Sequence, residues 1–108
     1  MRIISVEEFL DTFCEKKVIH ELKIIPKYFY EIVSEVKTFE IRKNNRGFNI
    51  GNLLVLKEWE TEAYTGREAT VLVTSILEGG QYGLDKEYII MSISLLEHKE
   101  ITSPEEKE

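Results

Sequence analysis

The chain has 108 residues, 43% hydrophobic and 31% charged, and carries a net charge of −6. That length suits one domain that can bury a single core without staples, and the composition is that of a globular chain, not a disordered one. The acidic balance argues against tight, sequence-independent binding to duplex DNA, which draws on many phosphate contacts, and a single cysteine rules out an internal disulfide.

In chain order, Met1-Arg2-Ile3-Ile4 starts like a signal peptide, but acidic residues interrupt before an apolar core forms. No stretch is long and apolar enough to cross a membrane as a helix. The expectation is a soluble, cytoplasmic protein. Ser5 and Glu8 have the spacing of a capping box, and Val6, Phe9, Leu10 and Phe13 repeat as one apolar helical face. A helix over about residues 5–15 follows from that spacing, packed on the domain or on a partner subunit. Cys14 lies on it and reads as a small buried hydrophobe.

Val18 to Ile25 reads as a first strand, with His20, Leu22 and Ile24 on one face. Pro26 suits the first turn of a helix, whose buried stripe is Phe29, Ile32, Val33 and Val36. The second strand is Lys37-Thr38-Phe39-Glu40-Ile41-Arg42. Alternation sends Phe39 and Ile41 to the core and Thr38, Glu40 and Arg42 outward. Asn44-Asn45-Arg46-Gly47 ends it. Four cations (Lys37, Arg42, Lys43, Arg46) against Glu40 give this segment net +3 in an acidic chain. Anion binding accounts for such an island, and so does a solvated edge strand whose charges block aggregation.

Leu53 to Trp59 reads as a third strand and Glu60 to Gly66 as a loop. A fourth strand, Glu68 to Leu77, has Ala69, Val71 and Val73 opposite Thr70, Leu72 and Thr74. Gly79-Gly80 breaks it, and Tyr88 to Leu96 is the last strand. Trp59 and Tyr88 read as core, Tyr64 and Tyr82 as exposed. One domain over 1–97 and a polar, frayed tail over 98–108 follow, with no repeats.

Short strands, two helices and glycine turns make an α+β domain with a mainly antiparallel sheet. No metal site is expected, since the single cysteine and two separated histidines lack ligand spacing. His20 reads as a hydrogen-bonded core or rim residue and His98 as solvated. No phosphate-cradling loop or Ser-His-Asp signature is present, so no cofactor is expected. What remains is Lys37, Glu40 and Arg42, with the last two about 7 Å apart on one face. The trio suits a structural ion pair, nucleotide recognition or acid–base chemistry from a desolvated lysine.

The Lys37-to-Arg42 segment, K-T-F-E-I-R, resembles the G-x-K-x-x-E-x-R signature of the ASCH superfamily, with Glu35 where the glycine stands. His20-Glu21-Leu22-Lys23 before Pro26 is similar to the start of a small ASCH-like family. Phe48-Asn49-Ile50-Gly51-Asn52 resembles its F-x-V-G-D turn with Asn52 for Asp, and Tyr64-Thr65-Gly66-Arg67 and Tyr88-Ile89-Ile90-Met91 also fit. The resemblance covers about His20 to Leu96. It implies a PUA-like, mainly antiparallel β-barrel of about five to six strands with flanking helices, and an association with RNA.

On that reading Lys37, Glu40, Arg42, Lys43, Arg46, Tyr64 and Arg67 bind RNA or a nucleotide, with His20 and Lys23 at the rim. A second reading is a small amidohydrolase acting on N4-acetylcytidine-like nucleosides. Resembling enzymes use the motif lysine, a threonine two residues before the motif arginine, and a distant glutamate. Here Glu40 holds the threonine position, so the catalytic set would be Lys37, Thr38 and Glu40. A third reading is a protein-interaction domain with the N-terminal helix as its contact, and a homodimer is compatible with the chain.

Overall fold

The structure, a computed structural model, describes residues 18–100. The expected N-terminal helix, Cys14 and the end of the tail lie outside the described residues. The order of elements is β1 (Ile19–Ile24), α1 (Pro26–Val33), β2 (Phe39–Lys43), β3 (Leu53–Glu60), β4 (Ala63–Glu78) and β5 (Tyr88–Lys99). They form one five-stranded sheet in the order β1-β3-β4-β5-β2. Only the β1–β3 pair is parallel; the other three are antiparallel.

The sheet is mostly β structure curled into a half-barrel. Register shifts at Lys57/Trp59, Thr70/Val71 and Val73/Ser75 interrupt the long strands, and such bulges bend a strand and raise its twist. The fourth strand's alternation falls as expected: Ala69, Val71 and Val73 are buried while Thr70, Leu72 and Thr74 are not. They join Leu22 and Ile24 of β1, Leu54 and Leu56 of β3, and Ile89 and Met91 of β5 in one core. Helix α1 covers this face with Phe29 and Ile32, which are 3% and 1% exposed. Proline stands in its first turn, where a missing N–H costs nothing.

The end of α1 is closed by Glu35. The Val36 N–H and the Lys37 N–H both donate to Glu31 O, at 2.9 and 3.0 Å, and Glu35 takes a φ of 61°. That is the left-handed position that closes a helix, where glycine is favoured. A Cβ there costs about 1–2 kcal/mol, partly offset by glycine's extra chain entropy of roughly 0.5–1 kcal/mol. Glu35→Gly should therefore raise the unfolding free energy by about 0.5–1 kcal/mol. Urea titration checks this, and a loss of stability would contradict it.

Five expectations are corrected. The Glu60–Gly66 loop is mostly strand, because β3 and β4 join through a two-residue turn at Thr61 and Glu62, with φ of 51° and 67°. Two left-handed residues match the strands' twist, but this turn lacks the Asn-Gly signal that would mark it. Strand β5 runs on through His98 and Lys99, where the tail is expected to begin, and pairs them with Ala69 and Glu68. Val36 lies beyond the helix and is 76% exposed, and Tyr88 is 38% exposed instead of core.

The fifth correction is the face of β2. Phe39 and Ile41 are 42% and 47% exposed, while Glu40 is 3% exposed. Glu40 is in register with the fully buried Met91 and Arg42 with Ile89, so the charged residues take the inner face. The cause is the sheet's geometry. β1 and β2 are its two edges, and they approach each other as the sheet curls. Arg42 Nη2 donates to Lys23 O at 3.0 Å and Arg46 Nη1 donates to Glu21 O at 2.9 Å. Carbonyls along an unpaired edge need donors, and two guanidinium groups supply them where a neighbouring strand would otherwise do so.

Candidate functional site

Glu40 lies at the centre of the inner face of β2. Its Oε2 accepts from Lys37 Nζ at 2.7 Å and its Oε1 from Arg42 Nε at 2.9 Å. The carboxylate side chain is 4% exposed, Lys37 13% and Arg42 25%. The lysine is held further by Phe39 O at 2.6 Å. Its ammonium sits 4.6 Å from the Phe39 ring centre and 5.4 Å from that of Tyr28, within cation–π range.

This trio borders a cavity of about 600 Å³ between β1, α1 and β2. Its walls are apolar, from Ile24, Ile25, Tyr28, Val36, Phe39 and Ile41, and Lys23 and Glu31 complete the lining. Five of the apolar residues (Ile25, Tyr28, Val36, Phe39, Ile41) are substantially exposed. Small-molecule sites have this character: mostly apolar walls, a few convergent polar groups and about 300–1,000 Å³ of space.

Of the residues singled out from sequence, Lys37, Glu40 and Arg42 meet at the cavity, and Lys23 borders it, with its backbone carbonyl bonded to Arg42 and its ammonium turned to Trp59. The others do not. Thr38 lines a different cavity, which it shares with Lys37, Ile32, Val71 and Ile93. Lys43 forms an exposed ion pair with Glu87 at 3.4 Å. Arg46 is occupied at the β1 edge. His20 is bound to the 44–52 turn: its Nε2 lies 2.9 Å from Asn52 Oδ1, which also accepts from the Asn49 N–H at 2.9 Å. An amide oxygen can only accept, so Nε2 carries the proton and donates to it. The His20 ring also meets Phe48 edge-on at 4.6 Å. Trp59, expected in the core, is instead half-buried on the outer face, where Tyr64 packs against it at 4.8 Å and Lys23 Nζ lies 3.8 Å from its ring centre.

Arg67 belongs to a second buried cluster. Glu58 is 2% exposed, and its Oε1 accepts from Thr65 Oγ1 and from Arg67 Nε, each at 2.7 Å. The hydrogen bond to Glu58 raises the Arg67 guanidinium above its ordinary value, against desolvation, with the charges of Glu58, Glu100 and Glu60 adding to the rise. Glu58 was the residue sequence reading missed. Its signal was position: it continues the inward alternation of Leu54 and Leu56, and Thr65 and Arg67 continue that of Ala69 and Val71.

Among the described residues, no group of three or more His, Cys, Asp or Glu is placed to hold a metal ion. No helix among them is long and apolar enough to cross a membrane.

An Escherichia phage P2 protein described as "Uncharacterized 12.9 kDa protein in GpA 3'region" is 35% identical over 60 residues, covering 56% of this chain and 55% of the phage protein. The chain thus spans about half the length of that relative. The profile of the family described as "Domain of unknown function (DUF3850)" matches residues 19–93, from the first residue of β1 into β5. Since that match takes in four strands, the helix, the first half of β5 and the whole Lys37–Glu40–Arg42 site, the chain belongs to the DUF3850 family.

Proposed function

We propose that the chain is an RNA- or nucleotide-binding module of the PUA-like, ASCH kind, and that the Lys37–Glu40–Arg42 cleft receives one unstacked base of a short single strand. One observation carries the reading: a buried carboxylate, clasped by two cations, borders a nucleotide-sized cavity with aromatic and aliphatic walls. Single-stranded RNA is recognised in this way, by stacking a splayed base on an aromatic ring and hydrogen-bonding its edge. Each oxygen of Glu40 takes one donor in the hydrogen bonds above and has a second lone pair for a base amino group. Two of the five N–H groups of Arg42 serve Glu40 and Lys23 O, which leaves others for a base carbonyl or phosphate.

Titration with nucleoside monophosphates and short single-stranded RNAs tests the proposal. Phe39→Ala should weaken binding by about 1–3 kcal/mol, the usual contribution of one stacked base, and added salt should weaken the RNA complex further. Phe39 is the better probe than Arg42, because Arg42 also bridges the sheet edges. Equal affinities for wild type and variant, or no binding at low salt, would favour the protein-interaction reading.

The amidohydrolase reading is weakened by Thr38, the hydroxyl offered in place of the one that Glu40 displaces. It lines a neighbouring cavity that it shares with Lys37, away from Glu40, and the Lys37 ammonium is committed to Phe39 O and Glu40. Amide hydrolysis needs a nucleophile and a group to stabilise the oxyanion, and a carboxylate in the hydroxyl's place repels that charge. Little or no cytidine should appear when the protein is incubated with N4-acetylcytidine and the products are separated by chromatography. Robust turnover abolished by Lys37→Ala would reverse this assignment.

A further inference from the structure

We infer that the pocket beneath α1, floored by Glu58, is a second binding site, and that it takes an organic cation: an alkylammonium or alkylguanidinium group on an apolar stem. The cavity measures about 340 Å³ and is lined by Pro26, Phe29, Tyr30 and Val33 together with Glu58, Arg67 and Glu100. None of these residues borders the cleft at Glu40, so the inference does not depend on the function proposed above.

The argument starts from the two oxygens of Glu58. Thr65 and Arg67 both donate to Oε1, and Oε2 receives neither. No buried side-chain nitrogen or oxygen among the described residues lacks a partner, so Oε2 is not sealed inside the protein; it is the atom this deep carboxylate presents to the pocket. Fastening the hairpin requires only Oε1. The second oxygen is a preformed acceptor at the base of an apolar recess, an arrangement that orients and selects a ligand.

Charge decides the ligand's sign. Two carboxylates, Glu58 and Glu100, line the pocket with one guanidinium, Arg67, whose Nε is already committed to Glu58. An anion entering here meets net negative charge, whereas a cation gains from it. The walls decide the rest. Phe29 and Tyr30 present aromatic surface to an alkyl stem and to the charge it carries. Free amines and guanidines share this chemistry with the lysine and arginine side chains of another protein.

The test is a titration of the isotope-labelled chain, followed through its backbone amide resonances. The probes are n-butylammonium, n-butylguanidinium, uncharged n-butanol, and short peptides bearing one lysine or one arginine. The cations should shift the resonances of Phe29, Tyr30, Val33, Glu58 and Arg67 saturably, and n-butanol should not. Glu100→Gln, at an exposed rim residue, should weaken binding roughly twofold to fivefold, the scale of one exposed ion pair. Glu58→Gln should weaken it more; if that variant does not fold, the Glu100→Gln comparison decides. Tighter binding of peptides than of free cations would identify a protein partner, and the reverse a small molecule. The site is overturned if no cation gives saturable shifts, if n-butanol matches them, or if Glu100→Gln binds as wild type does.

Discussion

Replacing Glu40 by alanine is expected to lower the unfolding free energy by about 3 kcal/mol, the lower end of the cost of breaking a buried ion pair. The lower end applies because Lys37 and Arg42 keep 13% and 25% of their side chains exposed, so water recovers part of the lost interaction. The carboxylate itself is buried against the core at Met91. Its loss leaves two cations facing each other across the site, and it also releases the guanidinium that bridges to Lys23 O. Urea unfolding followed by the fluorescence of the single tryptophan, Trp59, measures the change. A loss under about 1 kcal/mol would mean that the trio behaves as an exposed surface pair.

Gly79→Ala should cost a similar amount, on the order of 3 kcal/mol. The reason is space, not backbone conformation. A Cβ on Gly79 would run into the carbonyl oxygens of Asp85 and Tyr88, both backbone atoms, with the Lys86 carbonyl carbon also close at 3.0 Å. No side-chain rotation relieves such a contact. The segment from Gly80 to Glu87 must fold tightly over Gly79 for β5 to re-enter beside β4, with the Gly80 N–H donating to Leu84 O at 2.7 Å and the Tyr88 N–H to Asp85 O at 3.0 Å. Displacing that loop disturbs the start of the β4–β5 pairing, which spans Glu68 to Glu78. The same unfolding experiment reads it, and a variant as stable as wild type would show that the loop yields easily.

Strand order along the chain and the helix at Pro26 were legible because their periodicities are clean and their buried faces are truly apolar, as in Ala69, Val71 and Val73. The face of β2 was not legible. Pattern reading assumes that the apolar side of an alternating strand points to the core, but at an edge of a curling sheet the inner face must also close a seam. Arg42 and Arg46 do so with side-chain hydrogen bonds to β1. Phe39 and Ile41 are left lining or flanking an open cavity, where apolar surface serves a ligand and not a core. Glu58 escaped notice for a related reason: a charged residue in a strand reads as solvent-facing unless its partners, Thr65 and Arg67, are known to fold back over it. The parallel β1–β3 pair was likewise hidden, since pairing direction depends on the crossover through α1 and not on local pattern.

The most direct test of the proposed function is to locate the bound nucleotide on the surface. Backbone amide resonances of the labelled chain should be followed as a short single-stranded RNA is added at low salt. Saturable shifts concentrated at Ile25, Tyr28, Lys37, Phe39, Glu40 and Ile41, and reduced in Phe39→Ala, are the predicted result. Shifts confined to the outer face around Trp59 and Tyr64, or no saturable shifts at any position, would contradict it.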